Sequence, residues 1–180
     1  DISSSDGIKI HLAEVEEKIC AACERAGRDR SEVTLIAVSK TKPVEMLEAC
    51  MENGITVFGE NKVQEFMSKK DDLHLTGVEK HLIGHLQTNK VKKILPYVDM
   101  IQSVDSVHLA ESIDKEAQKL GITANILLEV NIGGEDSKTG FDKGAFLNSL
   151  NEISLLPSLK VKGLMTIPLI CDDKELEKYF

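Results

Sequence analysis

The sequence predicts an α/β protein, a (βα)8 barrel of the TIM type, from two observations. Apolar segments and amphipathic segments alternate strictly along the 180 residues, which is typical of parallel strands joined by right-handed helical crossovers. Most of the apolar segments show no clean in/out alternation, which indicates strands covered on both faces. The alternative is an open doubly wound sheet. Its dinucleotide-binding version is disfavoured because no G-x-G-x-x-G follows the first strand.

The first elements are predicted from apolar spacing and from glycine and proline. A leading helix is predicted over residues 6–26, where apolar residues recur at steps of three and four and Gly27 follows the stripe. The apolar segment VTLIAVSK (33–40) predicts a buried strand. A helix over 43–53 comes next, because a proline stands near its first turn and a glycine just beyond its end.

The pattern then repeats with shorter elements. ITVFGE (55–60) predicts a strand, and Asn61 with Gln64 three positions later predicts a capping box for the following helix. HLIG (81–84) predicts a short strand and TNKVKKIL (88–95) a helix. The remaining strands are predicted at 99–105, 124–131 and 161–167, and the remaining helices at 106–120, at 142–155 and within DDKELEKYF (172–180).

The number of predicted strand–helix units limits how much of a barrel this sequence can form. One leading helix and six βα units recur about every 25 residues, so a complete barrel needs something over about 220 residues, close to the usual size of about 250. We therefore expect residues 1–180 to form a single barrel domain in which about six βα units are present. Strands seven and eight are expected to be missing from this sequence.

Composition excludes several classes of function. Lys and Arg number 22 and Asp and Glu 30, a formal net charge of −8, which argues against a non-specific nucleic-acid binder. No apolar run approaches the roughly 18–20 residues of a membrane span, and the N-terminal segment lacks the features of a signal peptide. Four scattered cysteines do not make a disulfide scaffold. We expect a cytoplasmic protein without membrane or nucleic-acid partners.

Polar residues collect where the predicted strands end. The carboxyl ends of parallel strands meet on one face, where ligands bind in such folds. The residues at these ends are Lys40, Glu60, Asn61, Gly84, His85, Ser103, Asp105, Asn131, Met165 and Thr166. Of these, Lys40, Asn61, His85, Asn131 and Met165 are predicted to bind the ligand.

Lys40 is the most informative of them. It ends an apolar strand in phase with Ile36 and Val38, so its ammonium would be partly desolvated, and Lys42 adds like-charge repulsion. Both effects favour the neutral amine that Schiff-base chemistry with an aldehyde requires. The alternative is a lysine that extends from a strand end to water.

Five ordered motifs carry a family resemblance. They are AVSKTKP (37–43), FGENKVQE (58–65), HLIGHLQTNK (81–90), NIGGEDSKTG (131–140) and GLMTI (163–167). In this order and spacing the chain resembles the pyridoxal-phosphate homeostasis proteins, single-domain binders of pyridoxal 5′-phosphate (PLP) that resemble the barrel domain of alanine racemase. The resemblance implies that Lys40 forms an internal aldimine with PLP and that Asn61 and Met165 line the cofactor pocket.

The resemblance also implies a role. The family is thought to hold PLP, to deliver it to apo-enzymes and to keep the free aldehyde scarce, without an established catalytic activity. The alternatives are a PLP-dependent amino-acid racemase or lyase of the barrel type, and a PLP-free barrel with a structural lysine. A related racemase needs a tyrosine from a second domain across a dimer, and only Tyr97 and Tyr179 occur here. We expect a monomer or a weak dimer.

The other candidate motifs favour structural roles. Cys20-x-x-Cys23 falls in the middle of the leading helix and has no second pair, so packing is expected rather than zinc or redox chemistry. His81 and His85 would lie roughly 13 Å apart along a strand at about 3.3 Å per residue, too far to share one metal. His81 is expected to be a hydrogen-bonded core histidine and His85 a pocket-edge residue. Lys138 is expected to be a solvated loop lysine.

Twelve strand residues are expected to be largely buried. They are Val33, Leu35, Ile36, Val38, Val57, Ile83, Ile101, Ile126, Leu128, Val130, Val161 and Leu164.

Overall fold

The computed structural model of the chain describes residues 4–71, 77–134 and 139–180. Within these ranges the strands are β1 (Ala37–Val38), β2 (Val57–Glu60), β3 (Glu79–Leu82), β4 (Met100–Val104), β5 (Ala124–Glu129) and β6 (Leu159–Met165). The helices are α1 (Ser5–Ala26), α2 (Val44–Glu52), α3 (Val63–Lys69), α4 (Val91–Ile94), α5 (Val107–Leu120), α6 (Phe146–Ser154) and α7 (Asp173–Leu176). Short 3₁₀ turns occupy Arg30–Glu32, Thr88–Lys90 and Glu177–Tyr179.

The strands form one parallel sheet in the order β1-β2-β3-β4-β5-β6. Each new strand is added on the same side of the preceding one, as in a barrel, whereas a doubly wound sheet reverses its direction of growth. The predicted α/β class and barrel-type order are therefore confirmed. The described residues do not close the barrel, so β1 and β6 are edge strands.

The main core lies between the sheet and its helices. Three neighbouring strands, β3 to β5, contribute fully buried side chains: Leu82, Ile101, Ile126 and Leu128. The long helix α5 packs against them through Leu109, Ala110, Ile113 and Ala117. A smaller cluster, Leu47, Ile55 and Phe58, joins α2 to β2. The apolar stripes of α2 and α5 are thus buried against the sheet.

The predicted core is wrong at the two edge strands. Val38 of β1 is 47% exposed and Leu164 of β6 is 60% exposed, because an edge strand has no neighbour to cover one of its sides. The residues confirmed as buried are Val57, Ile101, Ile126 and Leu128. The others are half-buried: Val33, Leu35, Ile36, Ile83, Val130 and Val161.

Several predicted boundaries also shift. The strand predicted over 33–40 contracts to β1, because only Ala37 and Val38 find register partners on β2. Asn61 does not cap α3: its N-cap is Lys62, without a side-chain cap bond. The leading helix is confirmed, with Gly27 at its C-cap in the left-handed conformation (φ 63°). Of the helices in the described ranges, none is long and apolar enough to cross a membrane.

Candidate functional site

Lys40 follows β1 at the carboxyl end of the sheet. Val38 pairs with Gly59, and the Ser39 N–H donates to the Gly59 carbonyl at 3.0 Å. Continuing this register by two residues places Lys40 level with Asn61. The desolvation expected for Lys40 is not found, because β1 is an edge strand and the side chain is exposed. Its Nζ makes no hydrogen bond or ion pair within the described residues.

Asn61 and His85 line a cleft of about 540 Å³ at the carboxyl ends of β2 and β3. The loops after β2 and β3 meet there, because Gly84 lies against the backbone of Asn61. A Cβ at Gly84 would lie 2.0 Å from the Asn61 carbonyl oxygen, so this approach requires glycine. Lys62 and Lys90 also line the cleft and make it cationic. His85 is exposed and lines the same cleft.

A polar cluster forms where β3, β4 and β5 end. The Nδ1 of His85 lies 3.2 Å from Oδ2 of Asp105, and Thr139 Oγ1 donates to Glu129 Oε2 at 2.8 Å. Burial raises the pKa of the Glu129 carboxyl, and the Asp105 charge adds to this rise, whereas the Thr139 hydrogen bond and His85 oppose it. Sequence analysis missed Glu129. The available signal was an acid inside the apolar strand segment ANILLEVN.

Asn131 and Met165 lie on the other side of β4. The Met165 carbonyl accepts from the Val130 N–H at 2.9 Å, and both Asn131 and Met165 are half-buried. Oδ1 of Asn131 accepts from the Gly134 N–H at 3.1 Å, so this side chain shapes its own loop. The structure therefore places Lys40, Asn61 and His85 just after the neighbouring strands β1, β2 and β3, whereas Asn131 follows β5 and Met165 ends β6.

The remaining candidates have structural surroundings. His81 is buried and hydrogen-bonds to Glu79 at 3.0 Å and to Gln102 at 2.9 Å, as predicted. Cys20 and Cys23 lie within α1. In the part of the chain that the structure describes, no group of three or more His, Cys, Asp or Glu side chains could hold a metal ion. Lys138 lies outside the described residues.

The chain matches one protein family and several of its members in sequence. The family described as "Alanine racemase, N-terminal domain" matches residues 10–180. The pyridoxal phosphate homeostasis protein of Aquifex aeolicus is 44% identical over 171 residues, which cover 94% of this chain and 75% of the relative. The protein of the same name from Escherichia coli K12 is 37% identical over 161 residues, or 88% and 69% of the two chains.

Solved structures agree with these matches. PipY of Synechococcus elongatus PCC7942 with PLP bound has a TM-score of 0.76 at 34% identity, covering 91% of this chain and 76% of PipY. Alanine racemase of Clostridium difficile 630 has a TM-score of 0.68 at 14% identity, covering 82% of this chain and 38% of the racemase, which supports the fold alone. The strand order, the five motifs and these matches lead to one assignment: the chain belongs to the family of pyridoxal phosphate homeostasis proteins, with the fold of the alanine racemase N-terminal domain.

Proposed function

We propose that this chain binds PLP as a reversible imine of Lys40 and serves PLP homeostasis without turning over a substrate. The observation that carries the proposal is the exposed amine of Lys40 at the carboxyl end of the sheet, with no partner among the described residues. The names of the relatives and the PLP-bound structure of PipY support the choice of cofactor.

The donor set fits the cofactor. PLP carries an aldehyde, a phosphate and a pyridine ring, and the aldehyde requires a primary amine free of a carboxylate partner. Lys40 meets this requirement. The cationic cleft at the carboxyl ends of β2 and β3, with Asn61 and His85 at its wall, offers donors to an anionic ligand. Met165, on the opposite edge strand, and Asn131, in the loop after β5, are proposed as further pocket residues.

The chemistry proposed for Lys40 is a condensation. The neutral amine attacks the aldehyde carbon, a C=N bond forms, and the carbonyl oxygen leaves as water with both amine hydrogens. The reverse reaction, or displacement by a second amine, releases the cofactor. This reversibility suits a carrier.

The position of Tyr97 supports a low turnover. Tyr97 lies in the connection between α4 and β4, at the amino end of the sheet and so away from Lys40. Its ring lies 5.1 Å from Nζ of Lys70. A racemase needs a second base facing the lysine across the substrate, and Tyr97 is placed at the wrong end for this role.

One observation favours the alternative, a PLP-dependent racemase or lyase. The hydrogen-bonded pair of His85 and Asp105, 3.2 Å apart, is an arrangement that orients a histidine as a general base. If this pair abstracts protons, the PLP-loaded protein will exchange the α-proton of an added amino acid with solvent deuterium. We expect no exchange above the rate of free PLP.

The direct test compares Lys40→Ala with Lys42→Ala, a matched change at an exposed lysine two residues away. Each variant is titrated with PLP, the imine absorbance is recorded, and borohydride reduction followed by peptide mass locates the adduct. We expect the wild type and Lys42→Ala to carry the adduct on Lys40, and Lys40→Ala to lose the absorbance. Unchanged absorbance in Lys40→Ala, or an adduct elsewhere, contradicts the assignment.

We also propose apo PLP-enzymes as recipients and the cytoplasm as the site of action. The four cysteines are all free thiols, which is consistent with a reducing compartment. A monomer or a weak dimer is proposed as the working form.

A further inference from the structure

Three charged side chains form a cluster on the helix side of the sheet, behind Lys40. Nζ of Lys69, at the end of α3, lies 2.8 Å from Oε1 of Glu65 and 3.1 Å from Oε1 of Glu60. The Glu60 side chain is 1% exposed and the Lys69 side chain 12%. These groups are therefore largely withdrawn from water, where charge-assisted hydrogen bonds are strong and directional.

The cluster binds the backbone on both sides of Lys40. Lys69 Nζ donates to the Ser39 carbonyl at 2.8 Å, which belongs to the peptide group before Lys40. The Thr41 N–H, which belongs to the peptide group after Lys40, donates to Oε1 of Glu65. The Ser39 hydroxyl donates to Oε1 of Glu60. Both peptide groups that flank the Lys40 Cα are thus held by one network.

The backbone held in this way has an uncommon conformation. Thr41 has a φ of 60°, in the left-handed region that β-branched residues rarely adopt. Such a conformation persists where surrounding contacts over-determine it. The bond from the Thr41 N–H to Glu65 is such a contact. The turn leads the chain away toward α2 and leaves Lys40 at the strand end.

If the network served stability alone, burying these charged groups would cost folding free energy. Glu60 Oε2 is buried and has no hydrogen-bond partner among the described residues. Buried ionic groups are often replaceable by apolar ones without loss of stability, so a buried ionic cluster is weak evidence for a role in stability. What this cluster does is restrict the backbone at one residue, and that residue is Lys40.

We propose that Lys69, Glu60 and Glu65 are positioning residues for the Lys40 amine. From the helix side they fix the peptide groups before and after Lys40. The backbone at Lys40 then has one defined geometry, which directs the side chain toward the PLP aldehyde. The proposal rests on the proposed function in one respect, that Lys40 is the residue that reacts with PLP.

The test breaks the network from each side of Lys40. Lys69→Met removes the donor to Ser39, and Glu65→Ala removes the acceptor for Thr41. Lys70→Met, at the neighbouring lysine that pairs with Asp71, is the matched control. Each variant is titrated with PLP well below its own unfolding temperature, and borohydride trapping with peptide mass measures the occupancy of Lys40. Amide hydrogen exchange at Thr41 reports whether the backbone has been released.

We expect Lys69→Met and Glu65→Ala to bind PLP about threefold to tenfold more weakly, the range that corresponds to losing the ordering of a side chain. Exchange at Thr41 should be faster in both, Lys69→Arg should recover much of the affinity, and Lys70→Met should behave as the wild type. Because each variant is titrated while it is folded, a loss of stability alone would not weaken PLP binding.

The two proposals fail in different ways. If the wild type is trapped at Lys40 and both variants bind within twofold of it, the positioning role is wrong and the proposed function stands. If borohydride does not trap PLP on Lys40 of the wild type, the proposed function is wrong, and the positioning role is then wrong as well.

Discussion

Glu129 lies at the end of β5 with a carboxyl group that the fold withdraws from water. Because burial raises its pKa above the ordinary value of 4.5, the folded state favours the protonated acid. Below pH 4.5 the group is protonated in both the folded and the unfolded state and does not affect stability. As the pH rises through the folded pKa, the buried carboxyl must ionise and the folded state loses stability.

Replacing Glu129 by Gln removes this ionisation and keeps an oxygen that can accept from Thr139. We expect Glu129→Gln to unfold at a higher denaturant concentration than the wild type at pH 7, and the difference to shrink toward pH 4. Glu152→Gln, at an exposed glutamate of α6, is the control and should show no such trend. If Glu129→Gln stabilises the protein over the wild type less at pH 7 than at pH 4, this account is wrong.

At the scale of elements, the register of β5 with β6 offers a matched pair of leucines. Leu128 and Leu164 are register partners on neighbouring strands, yet Leu128 is fully buried and Leu164 is 60% exposed. The difference arises because Leu128 packs in the main core under the helices, whereas Leu164 belongs to an edge strand.

Replacing each leucine by alanine should change the free energy of unfolding by different amounts. Leu128→Ala should lower the free energy of unfolding by about 2–5 kcal/mol, as for other core truncations, and Leu164→Ala by about 0.5 kcal/mol or less, as for other surface changes. Urea unfolding followed by circular dichroism measures both. Equal losses at the two positions would show that β6 is covered in solution.

At the scale of the whole molecule, stability should be graded from the middle of the sheet to its edges. The buried cluster is densest at β4, β5 and α5, and edge elements open at lower free energy. Hydrogen exchange followed by mass spectrometry should therefore find the slowest amides in β4, β5 and α5 and faster ones in β1 and α7. Protection of β1 equal to that of β4 would contradict the open-sheet description.

The carrier role is also tested on the whole molecule. PLP-loaded protein mixed with an apo PLP-enzyme should restore that enzyme's activity, because the imine of Lys40 is reversible. Lys40→Ala mixed with the same amount of PLP, followed by removal of unbound PLP, should restore little. Equal recovery from both would show that transfer does not depend on Lys40.

Local sequence patterns predict the α/β class, favour a barrel-type strand order and place Lys40 at a strand end. These features follow from local patterns: apolar stripes at helical spacing, apolar runs, and glycine and proline at the ends of elements. Lys40, Asn61 and His85 could be placed at neighbouring strand ends because parallel strands present their carboxyl ends on one face.

Which of these groups are covered, and which contacts hold them, depends on the tertiary packing. Val38, Lys40 and Leu164 read as buried or partly desolvated in the sequence, but they belong to or follow edge strands, and coverage depends on neighbours far away in the chain. Likewise Lys69 and Glu65, more than twenty residues beyond Lys40, meet its flanking peptides only because α3 packs behind β1 and β2. Local patterns specify elements; burial and side-chain networks depend on which elements become neighbours.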